Sequence, residues 1–439
     1  MYNRSILPIP EKMALNDTNN AIPEPITWIA NPRAETIVDS PAVAAYFPAG
    51  IARKVRNFHA QIPSYRVTPL KSLNRLASLL GIRNLWIKDE AERFSLESFK
   101  VLGGSYAIYR TILKLLGNTD ELTFGDLAKP EIHHKLGGVT FAAATDGNHG
   151  RGVAWAAAQL GFKSIIYVHK HTSEARKNAI ARNGAQVKVI DGTYDDAVRQ
   201  VNEDAKRYGW QVISDTSWEG YEEVPVWVMQ GYTTIFSEVQ QQLASMGELR
   251  PTHIFIQAGV GSLAASTFGF YASMVGADRP KMIVVEPDLA ACLFHSMEAG
   301  DGRPHSFPGD LQTIMAGLAC GDPNPIAWKV LYDCADGFVK CPDYVSAKGM
   351  RVAGVPLQGD PTVIAGESGA VSLGALMFLM ELDRYQPIRQ ALGLDRDSQV
   401  LLINTERNTD PDDYRRVVWE GGDQVPRAYR IYKNPFQEG

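Results

Sequence analysis

Short apolar runs alternate with longer amphipathic segments through the middle of the chain. The apolar runs predict strands and the amphipathic segments predict helices, because each pattern matches the side-chain period of that element. The predicted strands cover residues 139–144, 164–168, 186–190 and 211–214, and the predicted helices cover residues 150–160, 173–183 and 194–208. Gly161, Gly184 and Gly209 follow these helices, as is common at helix ends. Strands and helices in this alternation predict a parallel sheet with right-handed crossovers.

A second alternation draws in residues from both ends of the chain. Its predicted strands cover residues 84–88, 253–257, 281–285 and 399–404, and its predicted helices cover residues 263–274 and 370–382. The expected fold class is therefore α/β, with two lobes that each contain an open, mostly parallel sheet flanked by helices. Residues 1–105 and 240–439 are predicted to form a large discontinuous domain, and residues 106–239 a small inserted domain. Ligands of such sheets bind beyond the carboxyl ends of the strands.

The composition is that of an ordinary soluble globular protein, with 45% apolar and 21% charged residues. The net charge of −5 and the lack of a basic stripe argue against nucleic acid as a partner. The N-terminal residues lack the apolar core of a signal peptide, and no apolar run reaches the length of a membrane span. None of the four cysteines forms a C-x-x-C pair, so we expect no metal site. These features predict a cytoplasmic enzyme that acts on a small molecule.

Lys100 is the most informative single residue, because it opens an apolar, glycine-rich helix start directly after Phe99. An ammonium that is partly removed from water loses its proton more easily, and the free amine can attack a carbonyl to form a Schiff base. A lysine that snorkels from an amphipathic helix to solvent has the same local pattern. The segment alone therefore leaves both interpretations open.

Two glycine-rich turns each lie between a predicted strand and a predicted helix. In residues 257–262, Gln-Ala-Gly-Val-Gly-Ser, the glycines let backbone N–H groups approach an anion at a helix N-terminus, so a phosphate is the expected ligand. In residues 145–152, Thr-Asp-Gly-Asn-His-Gly-Arg-Gly, Asn148 can donate to a ring oxygen and Asp146 can donate or accept a proton. The alternative for this second turn is an Asx turn that caps the helix. That alternative accounts for one polar residue but not for Asp, Asn, His and Arg together.

Polar residues also follow two other predicted strands. Asp215, after strand 211–214, is either a helix cap or a second acid in the cleft. Thr405, after strand 399–404, has a hydroxyl that can hydrogen-bond a pyridine nitrogen without holding a proton on it. Ser368, just before helix 370–382, is predicted to be the N-cap of that helix.

These segments, in this order, resemble those of the fold-type II pyridoxal-phosphate enzymes, the tryptophan-synthase β-like family of serine and threonine dehydratases. The resemblance spans roughly residues 65–410 and implies pyridoxal 5'-phosphate as cofactor, held in the cleft between the lobes. It implies that Lys100 forms the Schiff base, with Phe99 beside the cofactor. It also implies that Asn148 binds the ring oxygen, that Thr405 binds the ring nitrogen, and that the protein is a homodimer. The implied phosphate site consists of Gly259, Val260, Gly261 and Ser262.

Within this family, residues 145–155 and 215–221 look most like those of the diaminopropionate ammonia-lyases, because Asp146 stands where dehydratases commonly carry serine. This likeness implies elimination of 2,3-diaminopropionate, as D- or L-enantiomer or both, to pyruvate and two molecules of ammonia. Lys100 and Asp146 would take the α-proton on opposite faces of the substrate. Asp146 or Asp215 would protonate the leaving amine and attract the β-ammonium.

The chain departs from the family's pattern at Arg407, because glycine usually follows the glutamate of the Asn404-Thr405-Glu406 motif. Two alternative functions remain open on the sequence. The nearer one is a serine or threonine dehydratase, with a hydroxyl leaving group. The farther one is a non-catalytic binding protein that uses this fold with an inactive site.

Overall fold

The computed structural model describes residues 22–36, 39–117, 122–145 and 147–431. Over these residues, eleven strands form two sheets. The strands are β1 Thr27–Ala30, β2 Leu70–Ser72, β3 Asn84–Asp89, β4 Thr140–Thr145, β5 Lys163–His169, β6 Gln186–Ile190, β7 Gln211–Val212, β8 His253–Gln257, β9 Lys281–Pro287, β10 Gly337–Cys341 and β11 Gln399–Asn404.

The larger sheet has seven strands in the order β1-β10-β9-β8-β11-β3-β2. Its five inner strands are parallel, and the edge strands β1 and β2 are antiparallel to their neighbours. All residues of β8 are buried, as the apolar run at 253–257 predicts for a strand covered by helices on both faces. This sheet joins strands from both ends of the chain, as expected.

The smaller sheet has four parallel strands in the order β6-β5-β4-β7, all from the middle of the chain. The α/β fold class with two mostly parallel sheets is thus confirmed. The predicted bounds of β6, β8 and β11 agree with the structure, whereas β7 ends at Val212 rather than at residue 214. The backbone N–H of Ser214 donates to the hydroxyl of Tyr221 instead of continuing the strand.

Helices cover the faces of both sheets. They are α1 Pro41–Tyr46, α2 Ile51–His59, α3 Asn74–Leu80, α4 Lys100–Leu115, α5 Phe124–Leu127, α6 Pro130–Leu136, α7 Asn148–Gln159, α8 Glu174–Ala181, α9 Tyr194–Tyr208, α10 Glu223–Ser245, α11 Ser262–Val275, α12 Cys292–Ala299, α13 Pro325–Cys334, α14 Asp343–Gly354, α15 Glu367–Glu381, α16 Gln386–Leu392 and α17 Pro411–Val418. Among the described residues, no helix combines the length and the apolar composition needed to cross a lipid bilayer.

Glycines let α4 cross two other helices at very short distance. A Cβ atom on Gly231 of α10 would lie 2.5 Å from the carbonyl oxygen of Leu102, and one on Gly152 of α7 would lie 2.8 Å from Cα of Val101. Real side chains do not tolerate such distances, so only glycine permits these crossings. The crossing of α4 and α7 sets their first residues, Lys100 and Asn148, beside the same cleft.

The predicted domain bounds at residues 105 and 240 fall inside α4 and α10, which pack against each other. If the domains are divided at these residues, the chain passes from one domain to the other inside α4 and again inside α10, and not in a loop.

Candidate active site

The cleft that holds the predicted site lies where β8 and β11 end and where α4, α7, α11 and α15 begin. Its open volume is about 680 Å³. The predicted site residues that line it are Phe99, Lys100, Asn148, Asp215, Gly259, Val260, Gly261, Ser262 and Thr405. Asp146 lies outside the described residues. The structure therefore brings the other predicted residues together around one cavity, as expected at the carboxyl edge of a parallel sheet.

Lys100 projects into this cleft against Asp215. Its Nζ donates a hydrogen bond to Oδ2 of Asp215 over 2.5 Å. The Lys100 side chain is 19% exposed, and its Nζ lies 5.6 Å from the centre of the Phe99 ring. The preceding backbone is held to the end of β11, because the N–H of Phe99 donates to the carbonyl of Thr405 over 3.2 Å. Lys100 is thus a partly buried amine with a specific partner.

Asp215 is a buried carboxylate whose charge is compensated from several sides. The hydroxyl of Tyr194 donates to its Oδ1 over 2.9 Å. Burial raises the pKa of Asp215. The ammonium of Lys100, together with His149 and the hydrogen bond from Tyr194, outweighs burial and holds this pKa well below its usual range. In this pairing with Lys100, Asp215 is ionised at neutral pH and is a buried anion rather than a strong base.

The glycine turn between β8 and α11 has the geometry of an anion site. Gly261 has a φ angle of +101°, which favours glycine, and directly precedes α11. A Cβ atom on Gly259 would lie 3.1 Å from the sulfur of Cys320, so glycine allows the neighbouring segment to pack closely. Within the described part of the chain, the backbone N–H groups of Gly259, Val260 and Gly261 donate no hydrogen bond. These amides and the positive end of the α11 dipole can therefore bind an anion.

The hydroxyl of Ser262 is hydrogen-bonded within the protein. Its Oγ donates to the carbonyl oxygen of Asp215 and accepts from Nδ2 of Asn324 over 2.9 Å. A serine hydroxyl has a single hydrogen, so in this arrangement it cannot also donate to an anion. The predicted donation from Ser262 to a phosphate requires its hydroxyl to turn away from Asp215.

The amide of Asn148 is oriented by Glu406. Its Nδ2 donates to Oε2 of Glu406 over 2.5 Å, and Oε1 of Glu406 accepts from the backbone N–H of Ser368 over 3.2 Å. Both Asn148 and Glu406 line the cleft. Because an amide nitrogen carries two hydrogens, one hydrogen of Asn148 remains for a ligand.

The hydroxyl of Thr405 is held at the end of β11 by Gln257. Nε2 of Gln257 donates to Oγ1 of Thr405 over 2.9 Å and to the carbonyl of Ile403 over 2.8 Å. Oε1 of Gln257 accepts from the hydroxyl of Ser372 over 3.0 Å, which fixes the orientation of the amide. Since Thr405 accepts from Gln257, its own hydrogen is directed elsewhere, and Thr405 lines the cleft. Arg407 is not among the residues that line it.

The side chain of Thr145 accepts two hydrogen bonds in the turn before α7. Oγ1 of Thr145 accepts from the backbone N–H groups of Gly147 and Gly150 over 2.8 and 3.0 Å. Gly147 is the N-cap and provides no side-chain hydrogen bond. The Asx-cap alternative is therefore not needed to satisfy these two amides.

The structure also brings three residues without a predicted role into or beside the cleft. Gln257 is a polar residue at the end of an apolar run, a sequence pattern that could have indicated a role, and it is buried in the structure. Asn324 precedes Pro325 and caps α13, so its sequence signal is that of an ordinary helix N-cap. Tyr194 begins α9, and no sequence signal marks it as a partner of Asp215.

The prediction that Ser368 caps its helix is wrong. The N-cap of α15 is Gly366, and Ser368 lies inside the first turn of the helix. Its Oγ instead accepts from the backbone N–H of Gly317 over 3.1 Å, which ties the segment packed against Gly259 to α15.

The sequence profile of one protein family matches residues 62–405, most of the chain, and that family is described as "Pyridoxal-phosphate dependent enzyme". The chain belongs to this family. Diaminopropionate ammonia-lyase of Salmonella typhimurium (strain LT2) is 45% identical over 382 residues, which are 87% of this chain and 95% of that protein. Diaminopropionate ammonia-lyase of Escherichia coli (strain K12) is 46% identical over 376 residues, 85% of this chain and 93% of that protein.

Solved structures extend this similarity to the fold. Diaminopropionate ammonia-lyase from Escherichia coli in complex with D-serine has a TM-score of 0.84 and 42% identity, and the match covers 91% of this chain and 98% of that chain. The same enzyme in complex with an aminoacrylate-PLP azomethine reaction intermediate has a TM-score of 0.82 and 41% identity, with the same coverage. Threonine deaminase from Solanum lycopersicum, at 21% identity and a TM-score of 0.63, shares the fold.

The residues of the cleft fit pyridoxal phosphate, the cofactor of this family. The unbonded amides of the glycine turn suit its phosphate, and the partly buried Lys100 suits its carbonyl carbon. The spare hydrogens of Asn148 and Thr405 suit its ring oxygen and ring nitrogen.

Proposed function

We propose that this chain catalyses the pyridoxal-phosphate-dependent α,β-elimination of 2,3-diaminopropionate, which with one water gives pyruvate and two molecules of ammonia. The observation that carries this proposal is the buried carboxylate of Asp215 in the cleft, whose Oδ2 lies 2.5 Å from Nζ of Lys100. Such a carboxylate places negative charge where a substrate with a second ammonium needs it, whereas a hydroxyl substrate has no use for it. The substrate named for the relatives at 45% and 46% identity agrees with this choice.

Lys100 would hold the cofactor through Nζ, the amides of Gly259, Val260 and Gly261 would hold its phosphate, and Phe99 would lie beside it. Asn148 would donate to the ring oxygen and Thr405 to the ring nitrogen. When bound, the cofactor withdraws electrons from the substrate's α-carbon and so allows its proton to leave.

Once released from the cofactor by substrate, Lys100 would accept the α-proton at Nζ on one face of the substrate. Asp146 would accept it on the other face, which would allow the site to use both enantiomers. A positioned acid or base contributes about 10²–10⁴-fold to rate, so Asp146→Asn is expected to lower turnover with one enantiomer by about that factor. Cofactor binding should be unchanged. An Asp146→Asn rate close to wild type with both enantiomers would contradict this role.

Asp215 would bind the β-ammonium and keep it in its protonated form until the carbon–nitrogen bond breaks. An aliphatic amine is protonated at neutral pH, so the group can leave as ammonia without a further acid. The ionised state of Asp215 suits binding of this cation better than proton donation. The burial of the Asp215 side chain strengthens the attraction between the two charges.

The proposed function is tested with a substrate panel on purified, cofactor-loaded protein. Keto-acid release is measured with D- and L-diaminopropionate, serine and threonine, and kcat/KM is expected to be highest for diaminopropionate. Higher kcat/KM for serine or threonine would instead establish a dehydratase. Lys100→Ala should lose both activity and the borohydride-sensitive absorbance of bound cofactor. Lys114→Ala, on the same helix with a side chain 65% exposed, is the matched control that should keep both.

The substrate is a free amino acid, and we further propose that the protein acts as a homodimer in the cytoplasm. The substrate class and the homodimer rest on the resemblance described above, and the cytoplasmic location rests on the composition. Light scattering of the purified protein tests the assembly, and a monomer at micromolar concentration would exclude the dimer.

A further inference from the structure

Asn324 is fully buried and makes hydrogen bonds with every polar atom of its side chain. Its Oδ1 accepts from the backbone N–H of Ile326 over 3.2 Å and from the hydroxyl of Ser217 over 2.6 Å. Its Nδ2 donates to Oγ of Ser262 over 2.9 Å and to the carbonyl oxygen of Asp215 over 3.2 Å. The reversed amide would set its nitrogen against two donors, so only this orientation satisfies its neighbours.

The backbone of Asn324 is equally well fixed. Its N–H donates to the carbonyl of Val260, inside the glycine turn, over 2.8 Å. Its side chain caps α13. Asn324 therefore joins three parts of the site: the glycine turn, the start of α13, and the segment that carries Asp215.

The Asp215 segment needs such a connection because it leaves the smaller sheet after β7, whereas Lys100 and the glycine turn follow strands of the larger sheet. The carbonyl of Asp215 receives two donors from the larger sheet's side of the cleft, Oγ of Ser262 and Nδ2 of Asn324. These two hydrogen bonds fix the position of the Asp215 backbone relative to Lys100.

An anion bound at the glycine turn would affect the hydrogen bond from Ser262 to Asp215 but not the one from Asn324. The single hydrogen of Ser262 can point either to Asp215 or to the anion, but not to both. Nδ2 of Asn324 has two hydrogens, one for each of its acceptors, and need not change. With the turn filled by a phosphate, Asn324 becomes the donor that keeps the Asp215 carbonyl in place.

We propose that Asn324 is a positioning residue that holds the Asp215 carboxylate within reach of Lys100 and of the substrate's β-ammonium. This inference rests on the proposed function. It predicts that loss of the Nδ2 donor weakens catalysis without weakening cofactor binding.

Two variants separate this role from helix capping. Asn324→Asp keeps the oxygen that caps α13 but replaces the donor to Asp215 with a carboxylate oxygen. Asn324→Ser can still cap the helix but is too short to reach Asp215. Asn202→Asp, on α9 beside the neighbouring groove that also contains Ser217, adds the same charge outside this network and is the control.

The first measurement compares kinetics with cofactor affinity. Both Asn324 variants are expected to lower kcat/KM for diaminopropionate about tenfold or more, while in the uncharged variant Asn324→Ser the Kd for pyridoxal phosphate changes less than about threefold. In the cofactor-loaded protein, amide hydrogen exchange of residues 214–217 should accelerate in both variants and not in Asn202→Asp. Loss of cofactor affinity with unchanged kcat per bound cofactor, or unchanged exchange at 214–217, would overturn the proposal.

The second measurement is a double-mutant cycle with Asp215→Asn. Because Asn324 acts through the Asp215 carboxylate, Asn324→Ser should cost less than about twofold in kcat when Asp215 is already asparagine. An equal loss in both backgrounds would show a general structural effect and overturn the proposal. If wild type releases keto acid only from serine or threonine, the proposed function fails, whereas hydrogen exchange at residues 214–217 still decides whether Asn324 holds the Asp215 segment.

Discussion

At the scale of single residues, the charge of Asp215 should decide which leaving group the site favours. Asp215→Asn removes the negative charge beside Lys100, so kcat/KM for diaminopropionate is expected to fall about 10²-fold or more. The rate with serine should fall much less, because a hydroxyl carries no charge to be bound. Steady-state kinetics give kcat/KM for both substrates. If the ratio of the diaminopropionate value to the serine value were the same in the variant as in wild type, the assignment would be contradicted. Tyr194→Phe, which leaves the carboxylate in place, should cost no more than about tenfold.

The residues that sequence alone could identify share a local pattern. Lys100, Asn148 and the glycine turn each stand between a strand and a helix, where the chain itself indicates a ligand. Asn324 and Tyr194 do not, because their partners lie far away along the chain and their local patterns are those of helix starts. Hydrogen bonds across such separations depend on packing that a single sequence does not reveal.

At the scale of elements, buried strands with polar flanks could be predicted well, whereas α10 could not. β8 and β11 are short apolar runs bounded by polar residues, so their ends are evident. Most positions of α10 are buried, and the helix contains Gly231 and two threonines in its middle. A helix buried on nearly all sides has little polar periodicity, and its glycine is explained only by the crossing with α4.

The crossing of α4 and α10 should be sensitive to one methyl group. In Gly231→Ala the new Cβ would meet the carbonyl oxygen of Leu102 at 2.5 Å, so α4 must shift together with Lys100 at its start. We expect a loss of about 1–3 kcal/mol in the free energy of unfolding and weaker binding of pyridoxal phosphate. Urea denaturation and cofactor titration measure the two effects. Gly125→Ala in α5 has no clashing neighbour and should be neutral or stabilising.

At the scale of the whole molecule, a buried charge network connects the larger sheet to α10. Oε2 of Glu238 accepts from Nζ of Lys88 on β3 over 2.7 Å, and both its oxygens accept from Arg93 over 2.8 Å. All three side chains are fully buried. Composition and periodicity could predict the two lobes but not this network, because Lys88 and Glu238 are 150 positions apart.

The network makes stability depend on acid pH in a defined direction. Burial raises the pKa of Glu238, but Arg93 and Lys88 outweigh burial and lower it from 4.5 to about 2. A carboxylate with a lowered pKa stabilises the fold above its ordinary pKa, and this contribution is lost as pH falls from 4.5 through about 2. Glu238→Gln leaves the buried Lys88 without its carboxylate and Arg93 with Glu90 alone, so the free energy of unfolding at pH 7 should fall by about 3–5 kcal/mol. The difference from wild type should narrow below pH 4.5 in urea titrations, and a difference that is constant with pH would contradict this account. Glu248→Gln, which breaks the partly exposed pair with Arg83, should cost less than about 1 kcal/mol at any pH.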